Sequence, residues 1–145
     1  MSAAAPVDAL QTALAAEHAV IWGYAVVGGK VGADLRGQVH EADTAHRARR
    51  DVTAGTIRRL GGDPAPTRAS YRLPFAVTDR ASALRLAVHL EEGAAAAWRY
   101  LIATTEDAAL RRTAVAALTD AAVRGTRWRR LVSPATPTVP FPGAS

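Results

Sequence analysis

Glu17, His46 and Glu91 are the residues whose types and spacing could do chemistry. Each falls within an apolar stripe of helical period: Glu17 between Leu14 and Ile21, His46 between Ala42 and Thr53, Glu91 between Val88 and Ala95. A charge on a buried face must be paired, hydrogen-bonded, metal-bound or neutralised, because desolvating a lone ion is costly. Two carboxylates and an imidazole form a donor set for one Fe or Mn ion with a position left open to water or substrate. Asp43 precedes His46 by one helical turn and puts an Asp-x-x-His pattern on the edge of the same face. The same groups also make a buried polar network that fixes helix register. Arg49 and Arg50 flank His46, and Arg124 stands near the edge of the last helix, so arginine is available to neutralise the carboxylates instead of a metal.

Four helices must position these groups. Pro6 and Asp8 open the first, since proline suits an initial turn and an acid complements the helix dipole. This helix is expected to run to about Lys30, where Gly28, Gly29 and Gly32 weaken it, and Asp34 is the expected N-cap of the second. The second helix carries Leu35, Val39, Ala42, His46, Thr53, Ile57 and Leu60 on one face, and stops at Gly61-Gly62 with Pro64 behind. Residues 63–78 contain three prolines and no period, which predicts an ordered extended crossover. Thr78 or Asp79 caps a third helix with the stripe Leu84, Ala87, Val88, Glu91, Ala95, Trp98 and Ile102. A short turn then leads to a fourth with Leu110, Ala114, Ala117, Leu118, Ala121, Gly125 and Trp128 on one face. The tail, 133–145, is Pro-rich and extended, which leaves 1–132 as the helical domain.

The first and last pairs have short turns and form antiparallel hairpins. The crossover spans up to about 50 Å when extended, enough to run from one end of a bundle to the other. Two hairpins joined this way make an all-α, ferritin-like four-helix bundle, up-down-down-up, with the long crossover between helices 2 and 3. In such hairpins Glu17 and His46 both lie roughly 21–22 Å from the first turn, and Glu91 sits at a matching distance from the second. The three should meet at mid-bundle. A shift of 74 positions lays Leu10 on Leu84, Leu14 on Val88, Glu17 on Glu91, Tyr24 on Trp98 and Arg50 on Arg124, a weak internal repeat.

Di-iron and di-manganese carboxylate proteins take one Glu from each of two helices and Glu-x-x-His from each of the other two. Here the second half of that set is missing. Asp120 is at the right depth but off the face, Ala121 fills the core position, and position 123 is valine. A structural Glu/His/Arg network is therefore the simpler reading. A single Fe or Mn held by Glu17, His46 and Glu91 is the alternative.

Composition narrows the remaining classes. At 145 residues, with 49% hydrophobic and 21% charged residues, the chain is most simply one globular domain. Absence of cysteine excludes disulfides, thiol catalysis and cysteine metal sites. Met-Ser-Ala-Ala-Ala-Pro is not the start of a signal peptide, and Gln11, Glu17 and His18 interrupt the first apolar run, so neither export nor a membrane span is expected and a cytoplasmic location is the default. Net charge is +5, nearly all from arginine because Lys30 is the only lysine. Nucleic-acid binding through arginines of helices 2 and 4 is a third reading, though cations in the last turns of helix 4 already complement its dipole.

The segments "ALQTALAAEHAVIWGY", "HRARRD", "YRLPFAVTD", "LEEGAAAAWRY" and the closing "FPG" give the chain a further resemblance. In order and spacing they resemble an actinobacterial family of small ferritin-like proteins of unknown function. That resemblance implies a ferritin-like bundle, and a link to metals only by analogy with the superfamily.

Helix 1 is also apolar on more than its core stripe. Val20 and Val27 lie on one flank, and Trp22 and Val26 lie toward the side opposite Glu17. A helix apolar nearly all round is normally buried on more than one face. The expectation is a homodimer with Trp22 and Val26 at the contact.

Overall fold

The computed structural model describes residues 4–144 and contains, among them, four long helices and no strand. These are α1 (Ala4–Gly28), α2 (Arg36–Arg59), α3 (Arg80–Thr104) and α4 (Ala108–Val132), with one short 3-10 turn at Ala33–Leu35. The architecture is that of a four-helix bundle: α1 packs on α2 and α3, and α3 packs on α4. No helix of the described residues is long and apolar enough to cross a membrane.

Local signals set most helix ends. Asp79 caps α3 by accepting from the Ser82 amide at 2.8 Å, and the Ser82 hydroxyl accepts in return from the Asp79 amide. Asp107 caps α4 through the Leu110 amide. Gly61, just past α2, adopts φ 85°, a left-handed conformation that glycine takes without strain. The start of α2 differs from expectation. Its N-cap is Leu35 with no side-chain bond, and the chain turns instead through Gly32 at φ 87° and the 3-10 segment. Asp34 is drawn away from capping by Arg80, which holds both its carboxylate oxygens at 2.8 and 2.9 Å. α1 also ends at Gly28, slightly before the expected limit.

The crossover is tied to α1 along its length. Gln11 donates to the Asp63 carbonyl and accepts from the Ala65 amide, and the His18 ring lies 3.0 Å from the Ala65 carbonyl. Tyr71 packs on Trp22, and Leu73 and Val77 join the core. At the far end, Arg80 donates to the carbonyl of Val31.

Two apolar clusters fill the interior. One gathers Val20, Tyr24, Val27, Leu86, Leu90 and Trp128; the other gathers Leu10, Leu14, Ile57, Trp98 and Leu101. Along α1 and α2, Glu17 and His46 fall between residues of one cluster and residues of the other, while on α3 Glu91 lies within the stretch of the first. Small residues let the helices approach: a Cβ on Gly23 would lie 2.6 Å from a methyl of Leu90.

Candidate functional site

Glu17, His46 and Glu91 are buried, with 1%, 3% and 1% of their surfaces exposed, so their polar atoms depend on protein partners. Glu17 comes from α1, His46 from α2 and Glu91 from α3, and the structure brings the three together. His46 Nδ1 lies 2.5 Å from Glu17 Oε2, and Nε2 lies 2.9 Å from Glu91 Oε1. Both carboxylates are served only when both ring nitrogens carry protons, which is the imidazolium form. Burial alone would lower the His46 pKa. The hydrogen bonds to Glu17 and Glu91, and the charges of both, outweigh it and raise the pKa to about 9.

Three aromatic side chains complete the network. The Trp98 indole donates to Glu17 Oε1 at 2.8 Å, and the Tyr24 hydroxyl donates to Glu91 Oε1 at 2.5 Å. The Trp128 indole donates in turn to the Tyr24 oxygen at 2.9 Å. The Tyr24 ring stacks on His46, with centroids 5.8 Å apart. Burial and then the negative charge of Glu91 hold the Tyr24 pKa well above its ordinary value, so it stays a donor.

The arrangement has an approximate two-fold logic. Glu17 and Tyr24 stand seven apart on α1, as Glu91 and Trp98 do on α3. Each aromatic serves the carboxylate of the other helix, and His46 bridges the two. This is the repeat of 74 positions expressed as chemistry. Reading by stripe alone placed Tyr24, Trp98 and Trp128 as packing residues. The signal that identifies two of them as donors is the seven-residue spacing, two helical turns on the same face.

The symmetry breaks at α4. Glu91 Oε2 is the buried side-chain atom left without a partner among the described residues. Glu91 also lines a void of about 10 Å³ beside Ala121, Gly125 and the tail residues Val139 and Pro142. Small residues stand where a second histidine would be needed.

Other expected members of the cluster lie outside it. Asp43 is turned to Arg47, its partner one turn on, at 2.8 Å. Arg50 pairs with Asp51, and Arg49 pairs with Asp120 while its guanidinium sits over the ring of Trp98 at 6.0 Å. Arg124 is half-buried on α4, and its charge reaches Tyr24, whose pKa it pulls down slightly against the larger upward causes. Among the described residues no arginine makes an ion pair with Glu17 or Glu91; the imidazolium does. The expected arginine neutralisation is therefore replaced by histidine plus neutral aromatic donors. The physical reason is that each of Arg49 and Arg50 has a nearer carboxylate at the surface, where its charge also stays hydrated.

Both imidazole nitrogens are held against carboxylate oxygens, and Glu91 Oε2 is the one oxygen of the cluster without a partner among the described residues. Among the described residues no group of three or more His, Asp or Glu side chains is disposed to hold an ion.

Trp22 and Val26, expected at a dimer contact, are each partly covered by their own chain. The rings of Trp22 and Tyr71 lie 6.0 Å apart, and Val26 packs on the core. The crossover thus supplies cover to the second apolar face of α1.

A family model described as "Domain of unknown function (DUF4439)" matches residues 9–145. The chain belongs to that family. A crystal structure of a conserved hypothetical protein, rv2844, from Mycobacterium tuberculosis is similar at 38% identity and a TM-score of 0.88. The match covers 90% of this chain and 99% of that one. No curated protein matches. This DUF4439 chain therefore shares its helical architecture with a protein described only as hypothetical.

Proposed function

We propose that the chain is a ferritin-like, up-down-down-up four-helix bundle whose buried site is a non-catalytic structural network rather than a metal centre. The topology is supported by contact order: Glu17 meets Trp98 while Tyr24 meets Glu91, so α1 and α3 run antiparallel. The crossover starts beside Gln11 and ends beside Val31, so it travels the length of α1.

The observation that carries the reading is that both nitrogens of His46 are already satisfied by carboxylates. A metal-binding site keeps ligand lone pairs pointed at a common empty centre; this cluster points its donors and acceptors at one another. The network joins α1, α2, α3 and, through Trp128, α4, in one register. Buried ion pairs seldom add net stability over apolar packing, and their best-attested use is to specify alignment. In a core rich in alanine, where sliding costs little shape complementarity, such a device has a clear role.

Elemental analysis of protein purified without chelator or metal-affinity tag tests the proposal. We expect no stoichiometric iron or manganese. One equivalent of either, abolished by Glu17→Ala, would overturn it. Nucleic-acid binding is the weaker reading, because Arg129 and Arg130 close α4, where they complement its dipole, and Arg49 and Arg129 are largely covered and paired with Asp120 and Glu92.

A further inference from the structure

A groove of about 670 Å³ lies between α1, α2 and the first residues of the crossover, on the outside of the hairpin that carries Glu17 and His46. Its α1 wall is His18, Ile21, Trp22 and Ala25, one helical face; its third wall is Pro64 to Thr67. The α2 wall repeats at helical spacing as Arg47, Arg50, Ala54 and Arg58. The groove thus combines apolar surface and an indole with a row of three arginines, against which the lining offers one acid, Asp51. Its size is that of small-molecule sites, which run to about 300–1,000 Å³.

We propose that this groove binds a small organic anion with a flat apolar body, the acid group on the arginine row and the body against Trp22 and the crossover prolines. The charge is available. Arg47 is half-exposed in a one-turn surface pair with Asp43, and Arg50 is held by its exposed chain neighbour Asp51. Surface pairs of this kind contribute little, so an incoming carboxylate displaces them at little cost. Arg58 is exposed and, among the described residues, makes no ion pair or side-chain hydrogen bond. The planar fork of arginine matches a carboxylate with two parallel hydrogen bonds. The apolar body has a platform in Trp22, half-buried and tilted at 53° to Tyr71. The crossover is long for a compact domain, and loops of that length are commonly functional; here it walls the site. A second copy of the chain is a poorer occupant, since a two-fold contact at this face would bring the two arginine rows together.

The groove and the buried cluster share no residue, so the test does not depend on how the cluster is read. The probes are 2-naphthoate and its neutral isostere 2-naphthamide, titrated into the full chain by calorimetry and by NMR of the indole N–H groups. Trp98 and Trp128 are buried, so Trp22 is the tryptophan that a groove ligand touches. We expect saturable binding of 2-naphthoate with a shift of the Trp22 signal and none at Trp98 or Trp128. The naphthamide should bind about tenfold more weakly, the size of one charge-assisted contact. Arg47→Gln with Arg58→Gln changes two exposed side chains and leaves the fold intact; it should weaken the naphthoate by about tenfold or more and leave the naphthamide unchanged. Absence of saturation, equal affinity for both probes, or indifference to the double variant would overturn the proposal. So would sedimentation showing a dimer that buries Trp22 against a second copy.

Discussion

His46 carries a pH signature that packing residues lack. Its pKa is raised from 6.5 to about 9 in the folded protein by hydrogen bonds to two carboxylates. A raised folded pKa means that the stabilisation is fully present below pH 6.5 and is lost as pH rises through about 9. Urea denaturation at pH 6.5 and pH 9.5 should show a fall on the order of 3 kcal/mol, with His46→Ala removing the dependence. That variant should itself lose about 3–5 kcal/mol at neutral pH, because it strands two buried carboxylates. Replacing Glu17, His46 and Glu91 together by apolar residues of similar volume should cost less than His46→Ala in the same assay, the remaining loss coming from the Trp98 and Tyr24 donors left without acceptors. If the triple variant were as unstable as the single one, the register role would be wrong. The three ionisable members were legible because an ionisable residue inside an apolar stripe stands out. Their aromatic partners were not, because tyrosine and tryptophan fit a core stripe whether or not they donate a hydrogen bond.

Helices and turns were legible where the signal is local and obscured where a distant residue competes. Asp79 reads as a cap and is one, since its partner Ser82 lies one turn away. Asp34 reads the same way, yet its carboxylate goes to Arg80, a partner 46 positions on that no local pattern reveals. Asp79→Ala should therefore lower the melting temperature measurably, because it removes a helix cap, while Asp34→Ala, which loses an exposed pair, should change it little. Glycines inside helices divide similarly. At Gly23 a Cβ would sit 2.6 Å from Leu90, so Gly23→Ala should destabilise by about 1–3 kcal/mol through overpacking of α1 on α3. At Gly125 a Cβ would stand 3.5 Å from Glu91 Cβ and 3.4 Å from an Arg129 nitrogen at the end of a long side chain. Gly125→Ala should thus gain up to about 1 kcal/mol of helix propensity. A loss at Gly125 equal to that at Gly23 would contradict this packing.

At the scale of the whole molecule, one long crossover accounts for several observations. It was legible as a loop too long for adjacent helices, and its prolines ruled out further helix. Which face it covers was not legible, because that depends on Tyr71 meeting Trp22 and on Leu73 and Val77 reaching the core. The apolar breadth of α1 therefore reads in the sequence equally well as a dimer contact or as a bed for the crossover. Below it, the cluster links all four helices, and among the described residues Glu91 Oε2 is its one buried side-chain atom without a hydrogen-bond partner. A structural network of this kind does not depend on a metal, so exhaustive chelation should leave helicity and melting temperature unchanged. The most direct measurement is the nitrogen NMR spectrum of the His46 imidazole in protein purified without chelators. The account predicts an imidazolium with both nitrogens protonated at pH 7, losing a proton near pH 9, and a spectrum unaltered by chelation. A neutral ring at pH 7, or one nitrogen bound to a metal, would contradict it.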